Sequence, residues 1–201
     1  MSPPDWNARY SAPEFAYGTE ANSFLKQHAD LLLDPVLSIA EGEGRNAVYL
    51  ASKGLRVHAV DNSSVGLAKA AKLAADRNVV ITTEVADLQN FAPEPNVYGG
   101  VVSIYAHLPS SIRAQLHPLL TQTMKPGGIL ILEAYSENQR GRGTGGPGDP
   151  DLLLTCGKVE RELVGLETIL LQETERDVLE GKFHTGLASV IQYIGKKVSI
   201  G

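Results

Sequence analysis

The sequence is short of most features that announce a large partner. A single cysteine, Cys156, excludes an internal disulfide and is compatible with a reducing compartment. No apolar run reaches the roughly 20 residues that span a bilayer, and Met1 to Trp6 lacks the apolar core of a secretory signal. No run of basic residues occurs, and the net charge is −5, which argues against a large nucleic-acid footprint. The five histidines and Cys156 show no metal-ligand spacing. There are no internal repeats. These absences leave no nucleic acid, no membrane and no metal in the expectation.

What remains is an ordinary globular composition. The 201 residues are 43% hydrophobic and 20% charged, enough for one domain over 1–201 with a sizeable core. A cytoplasmic enzyme is expected, with an oligomeric state that the sequence does not reveal.

The informative stretch runs from Ile39 to Ala47. The apolar run Val36 to Ala40 feeds a loop with glycines at 42 and 44, and a helix-like segment from Asn46 to Lys53 follows, closed by Gly54. A strand passing through glycines into a helix start brings a ligand close to bare backbone. Arg56 to Val60 reads as a second strand, and it ends in Asp61, where such folds grip a ribose. Glu41 and Glu43 flank the first glycine. A pyrophosphate there would meet like charge; a cationic ligand carrying a ribose would not.

Three segments, Glu-Gly-Glu-Gly-Arg-Asn at 41–46, Tyr-Leu-Ala at 49–51 and Val-Asp-Asn-Ser at 60–63, resemble the class I S-adenosylmethionine-dependent methyltransferases. The Gly-Arg-Asn ending is most similar to the tellurite-resistance and thiopurine-methyltransferase-like branch. The sequence departs from the usual first motif at Ser38, where an acid is common, and at Ala40, where the first glycine usually stands. The resemblance implies an α/β three-layer, Rossmann-like sandwich, with a mostly parallel seven-stranded sheet and an antiparallel last strand. Its cofactor would be S-adenosyl-L-methionine. The implied cofactor contacts are Arg9, Tyr10, Ala40, Glu41, Gly42, Gly44, Arg45, Asn46, Asp61, Asn62, Asp87, Leu88 and Tyr105. In this scheme the loop backbone holds the methionine part, Asp61 the ribose hydroxyls and Asp87 the adenine.

Along the chain, residues 1–34 read as an aromatic arm (Trp6, Tyr10, Phe15, Tyr17) and a helix from Glu20 to about Leu33 capped by Thr19. His28 on that helix is a core or boundary residue. An alanine-rich helix over Val65 to Ala75, a third strand over Asn78 to Val85 and a fourth, near-continuously apolar strand over Val97 to Tyr105 follow. His107 comes just past that strand's carboxyl end and is the best general-base candidate. A helix from Ser110 to Met124 precedes Lys-Pro-Gly-Gly and a strand from Ile129 to Ala134. The glycine-rich segment within 136–150 is expected to be a lid, mobile when empty. Glu167 to Thr174 and Leu187 to Ile194 should close the sheet as a hairpin. Tyr17, Arg140, Arg142 and His184 are acceptor-side candidates. Two other readings stay open: a nicotinamide-dependent oxidoreductase, and a non-catalytic binding protein with a worn methyltransferase fold.

Overall fold

The computed structural model describes residues 5–181 and 183–198. A seven-stranded sheet in the order β3-β2-β1-β4-β5-β7-β6 forms its centre. The strands are β1 (Val36–Ile39), β2 (Val57–Asp61), β3 (Thr82–Val85), β4 (Tyr98–Ile104), β5 (Met124–Tyr135), β6 (Leu166–Glu180) and β7 (His184–Lys197). β1 to β5 pair in parallel, whereas β7 runs antiparallel to both β5 and β6. This is the mostly parallel, Rossmann-like sandwich with a closing hairpin expected from the sequence.

The central strands are apolar because helices cover both faces. Every residue of β1 and of β4 is buried, as parallel strands buried on both sides require. The helices are α1 (Trp6–Tyr10), α2 (Ser23–His28), α3 (Arg45–Ser52), α4 (Ser64–Asp76), α5 (Ser110–Thr123) and α6 (Cys156–Glu162). In α4, Leu67, Ala70, Leu73 and Ala74 make the buried stripe, and the Ser63 hydroxyl accepts from the Gly66 N–H to cap it. The small alanine side chains let α4 lie close under the loop after β1. No helix stands between β3 and β4 among the described residues, so all four residues of β3 are exposed.

Two elements differ from expectation. The first long helix is shorter: α2 spans six residues and continues only as a 3-10 turn, Ala29–Leu31. Asn22, rather than Thr19, caps it, accepting from the Leu25 N–H at 3.0 Å. The Asn22 side-chain amide donates to buried Glu133 and Glu180, and residues 20–22 lie outside the helix. The hairpin is longer than the apolar pattern suggested: β6 has 15 residues and β7 has 14. Its far half carries polar residues that the core consumes.

Candidate active site

The loop between β1 and α3 is built by its own acids. Glu41, only 6% exposed, accepts at one oxygen from the N–H groups of Asn46 (3.0 Å) and Ala47 (2.8 Å). Those are free amides of the α3 N-terminus, where a helix dipole favours negative charge. The Ser38 hydroxyl donates to the other oxygen. The acid missing at position 38 is therefore supplied from position 41, and the serine serves as its hydrogen-bond donor. Burial pushes the Glu41 carboxyl pKa up, while these donors pull it back. Ala40 stands at φ +50°, a left-handed conformation that suits glycine better than alanine.

Gly42 and Gly44 are required where they stand. Gly42 has φ +61°, and a Cβ there would lie 2.6 Å from the Tyr10 hydroxyl; a Cβ on Gly44, at φ +90°, would lie 2.5 Å from the Ala70 methyl. At the end of β2, Asp61 accepts from the Gly42 N–H (2.8 Å) and the Ser63 N–H (2.8 Å), one on each oxygen. Each carboxylate oxygen keeps a further lone pair for a ligand hydroxyl. Asn62 beside it is exposed. Asp87 closes a turn by accepting from the Gln89 N–H at 2.9 Å, and it is exposed, while Leu88 is buried in the core.

The aromatic arm folds over this loop. Tyr10 is buried against Gly42 and Gly66 and stacks on Trp6 at 5.7 Å. Lys69 of α4 donates to the carbonyls of Ala12 (2.9 Å) and Glu14 (2.7 Å) and pairs with Glu43 at 2.5 Å. Glu43 in turn accepts from the Ala16 N–H at 2.7 Å. Arg9 lies 4.2 Å over the Phe183 ring.

Beyond the arm is a cluster of rings. Tyr17 meets His184 at 4.5 Å, Tyr105 meets His184 at 4.7 Å, and Tyr135 meets His184 at 5.3 Å and His107 at 5.4 Å. Burial holds both histidines neutral, pushing His107 down to about 4 and His184 to about 2.

Residues 36–128 match the family model described as a methyltransferase domain. That match covers just under half of the chain. It points to an enzyme of methyl transfer, with S-adenosylmethionine as the expected cofactor. No curated protein matches the sequence. Among solved structures, the chain is similar to one described under "Conversion of a Disulfide Bond into a Thioacetal Group during Echinomycin Biosynthesis" (18% identity, TM-score 0.77, covering 98% of this chain and 92% of that one). It is also similar to TehB from Haemophilus influenzae (14%, 0.72, covering 96% and 65%) and to a SAM-dependent methyltransferase from Aquifex aeolicus (16%, 0.64, covering 88% and 90%). At these identities the likeness shows the fold.

Other candidates have their side chains committed within the fold. Arg45 pairs with Glu180 at 2.6 Å, and Asn46 Oδ1 accepts from the Asn22 N–H at 3.0 Å. Arg142, expected to face an acceptor, pairs with Glu175 at 2.5 Å; Arg140 is exposed. The glycine-rich segment makes contacts with the body of the fold. Gln139 donates to Thr144 Oγ1 and the Gly145 carbonyl, both at 2.9 Å, and accepts from the Ser189 N–H at 2.9 Å. Gly145 and Gly146 rest on the Tyr135 ring, where a Cβ would lie 2.8 Å from Tyr135 atoms.

The sequence reading missed a buried ionic network. Glu133, fully buried at the end of β5, accepts from Asn22 (2.7 Å), Gln192 (2.7 Å) and Arg176, and Arg176 also pairs with Glu180 at 2.8 Å. A glutamate ending an otherwise apolar strand was the available signal; its partners lie 43 to 111 residues away along the chain.

Proposed function

We propose that this protein transfers a methyl group from S-adenosylmethionine to a small-molecule acceptor, as a single class I domain of the tellurite-resistance and thiopurine-methyltransferase-like branch. The observation that carries the reading is Glu41 on the first amides of α3. In a dinucleotide-binding fold those amides and the helix dipole receive a pyrophosphate. Here the chain's own carboxylate has taken that position, which disfavours a nicotinamide dinucleotide. A cofactor with a sulfonium and an ammonium group meets no such repulsion.

When bound, the cofactor supplies an electrophilic methyl carbon. The rest is the work of this chain. The Gly42–Gly44 backbone would hold the methionine part, Asp61 the ribose hydroxyls through its remaining lone pairs, and Asp87 with Leu88 the adenine. Tyr10 and the arm cover the loop and exclude water. Tyr17, Tyr105 and His184 present the acceptor beside the cofactor, and alignment alone supplies a large rate factor for an in-line displacement. With both histidines neutral down to acidic pH, the acceptor brings its own lone pair. We place the reaction in the cytoplasm, where a lone thiol such as Cys156 stays reduced.

Calorimetry with S-adenosylhomocysteine and with NADH tests the reading. S-adenosylhomocysteine should bind and NADH should not. Tighter binding of NADH would overturn it, and binding without turnover on any acceptor would favour the non-catalytic alternative.

A further inference from the structure

The ring cluster carries more information than its position. Tyr135 is fully buried and His184 is 7% exposed. The Tyr135 hydroxyl and His184 Nδ1 are shut from solvent with no hydrogen-bond partner, and the buried His107 imidazole has no side-chain partner, with only the Leu152 backbone beside it. Buried polar side-chain atoms normally find partners. Several orphans in one cluster call for a partner from outside the chain.

The cluster adjoins the cofactor loop. Tyr10 lies against Gly42, Tyr17 stands 6.3 Å from Tyr10, and His184 follows at 4.5 Å. Charges border the cluster, and Arg176 donates to the Tyr105 hydroxyl at 3.2 Å, but the buried arginines are already paired with carboxylates. Arg45 is held by Glu180, Arg176 by Glu133 and Glu180, and Arg142 by Glu175. Arg9 is exposed and acts from outside, over Phe183. An anion entering the cluster would lose its hydration without gaining a dedicated counter-charge.

On the methyl-transfer reading above, we propose that this cluster is the acceptor site and that its acceptor is a small, uncharged nitrogen heteroaromatic. A ring nitrogen takes the methyl group, and the polar edge meets Tyr135 Oη and His184 Nδ1. The ring nitrogen's lone pair forms the new N–C bond, and the C–S bond breaks with its electron pair going to sulfur, leaving S-adenosylhomocysteine. The positive charge passes from sulfur to the acceptor ring, so the site neither creates nor destroys net charge. Aromatic faces attract that charge before and after transfer. A neutral lone pair needs no base, in keeping with two unprotonated, weakly basic histidines. Where the acceptor carries a ring N–H, that proton goes to water after release.

The test uses benzimidazole, indazole and nicotinamide against tellurite, selenite and 2-mercaptoethanol, with S-adenosylhomocysteine formation as the readout. Saturation-transfer NMR on the S-adenosylhomocysteine complex reports heteroaromatic binding independently of turnover. At least one heteroaromatic should bind and be methylated, and neither oxyanion should react. Tyr135→Phe keeps the ring and deletes only the hydroxyl, while His184→Phe replaces the imidazole with a slightly larger apolar ring. Each should raise the acceptor KM by about tenfold, the loss of one hydrogen bond, with S-adenosylhomocysteine affinity by calorimetry changed less than about twofold. If S-adenosylhomocysteine binds but no heteroaromatic binds or reacts, or if neither variant moves KM, the acceptor assignment falls and the methyl-transfer reading stands. If S-adenosylhomocysteine does not bind at all, both fall together.

Discussion

At the scale of single residues, three positions decide how the loop works. Asp61 joins the Gly42 and Ser63 amides and is assigned the ribose, so Asp61→Ala should weaken S-adenosylhomocysteine binding by about 1.5–3 kcal/mol, the range for hydrogen bonds to a charged group. Calorimetry on a mutant shown to be folded checks this, and unchanged affinity would remove the ribose assignment. Ala40 sits at φ +50°, and left-handed backbone costs a non-glycine residue about 1–2 kcal/mol. Ala40→Gly should raise stability in urea unfolding by about 0.5–1 kcal/mol, once the glycine's greater unfolded-state entropy is offset. His184 is neutral in the folded state because burial lowers its pKa to about 2, against about 6.5 when unfolded. The unfolded state then binds the extra proton, so stability is lost as pH falls below about 6.5, by up to about 1.4 kcal/mol per pH unit for one group. The buried carboxyls of Glu41 and Asp61, shifted upward, act in the opposite sense over part of that range. Comparison of wild type with His184→Phe isolates the histidine: the variant should lose less stability between pH 6.5 and 4.5. Parallel curves would mean that His184 is protonated in the fold.

At the scale of elements, α4 and the N-terminal arm behave as one unit because of Lys69. Its ammonium group binds two arm carbonyls within 3 Å and pairs with Glu43, and its stem lies beside Phe15, with Nζ 4.8 Å from the ring centroid. Lys69→Met keeps the stem and removes the donors. The arm should then open more often, and trypsin cleavage after exposed Arg9 should accelerate by about tenfold, as expected when one or two charge-assisted hydrogen bonds no longer oppose local unfolding. An unchanged cleavage rate would show that ring packing of Trp6, Tyr10 and Tyr17 alone holds the arm. The β6–β7 hairpin works similarly from the other side. Its tip packs backbone against backbone on Tyr17, where a Cβ on Gly181 would lie 2.5 Å away.

At the scale of the whole molecule, the sheet's carboxyl edge, the arm, the hairpin and the glycine-rich loop converge on one place, and a buried network fastens them. Glu133 ties β5 to α2, through Asn22, and to both hairpin strands, through Arg176 and Gln192. Removing one partner of a buried ion pair typically costs about 3–5 kcal/mol. Glu133→Ala should therefore lower stability by about that amount. In thermal unfolding, a shift no larger than that of a surface substitution would show that the existing Arg176–Glu180 pair suffices to hold the guanidinium.

The sequence by itself determined the sheet, its parallel core and the position of the glycine loop after the first strand. These rest on local signals: continuous apolar strands, glycines between a strand and a helix, and an acid ending the next strand. It also marked Tyr17, His107 and His184 as acceptor-side or catalytic candidates, though not as one cluster. Tertiary structure alone decided what the loop acids do. Nothing local to Ser38 and Glu41 says that one donates to the other while the second fills a helix end; that follows from how the strand exits into α3. It also decided that the glycine-rich segment contacts the body of the fold, since Gln139 meets Ser189 50 residues on, and that Arg142 belongs to Glu175. Long-range pairing of buried polar groups leaves no period in the chain. Its requirement, that each desolvated charge find a partner, is met only once the elements have packed.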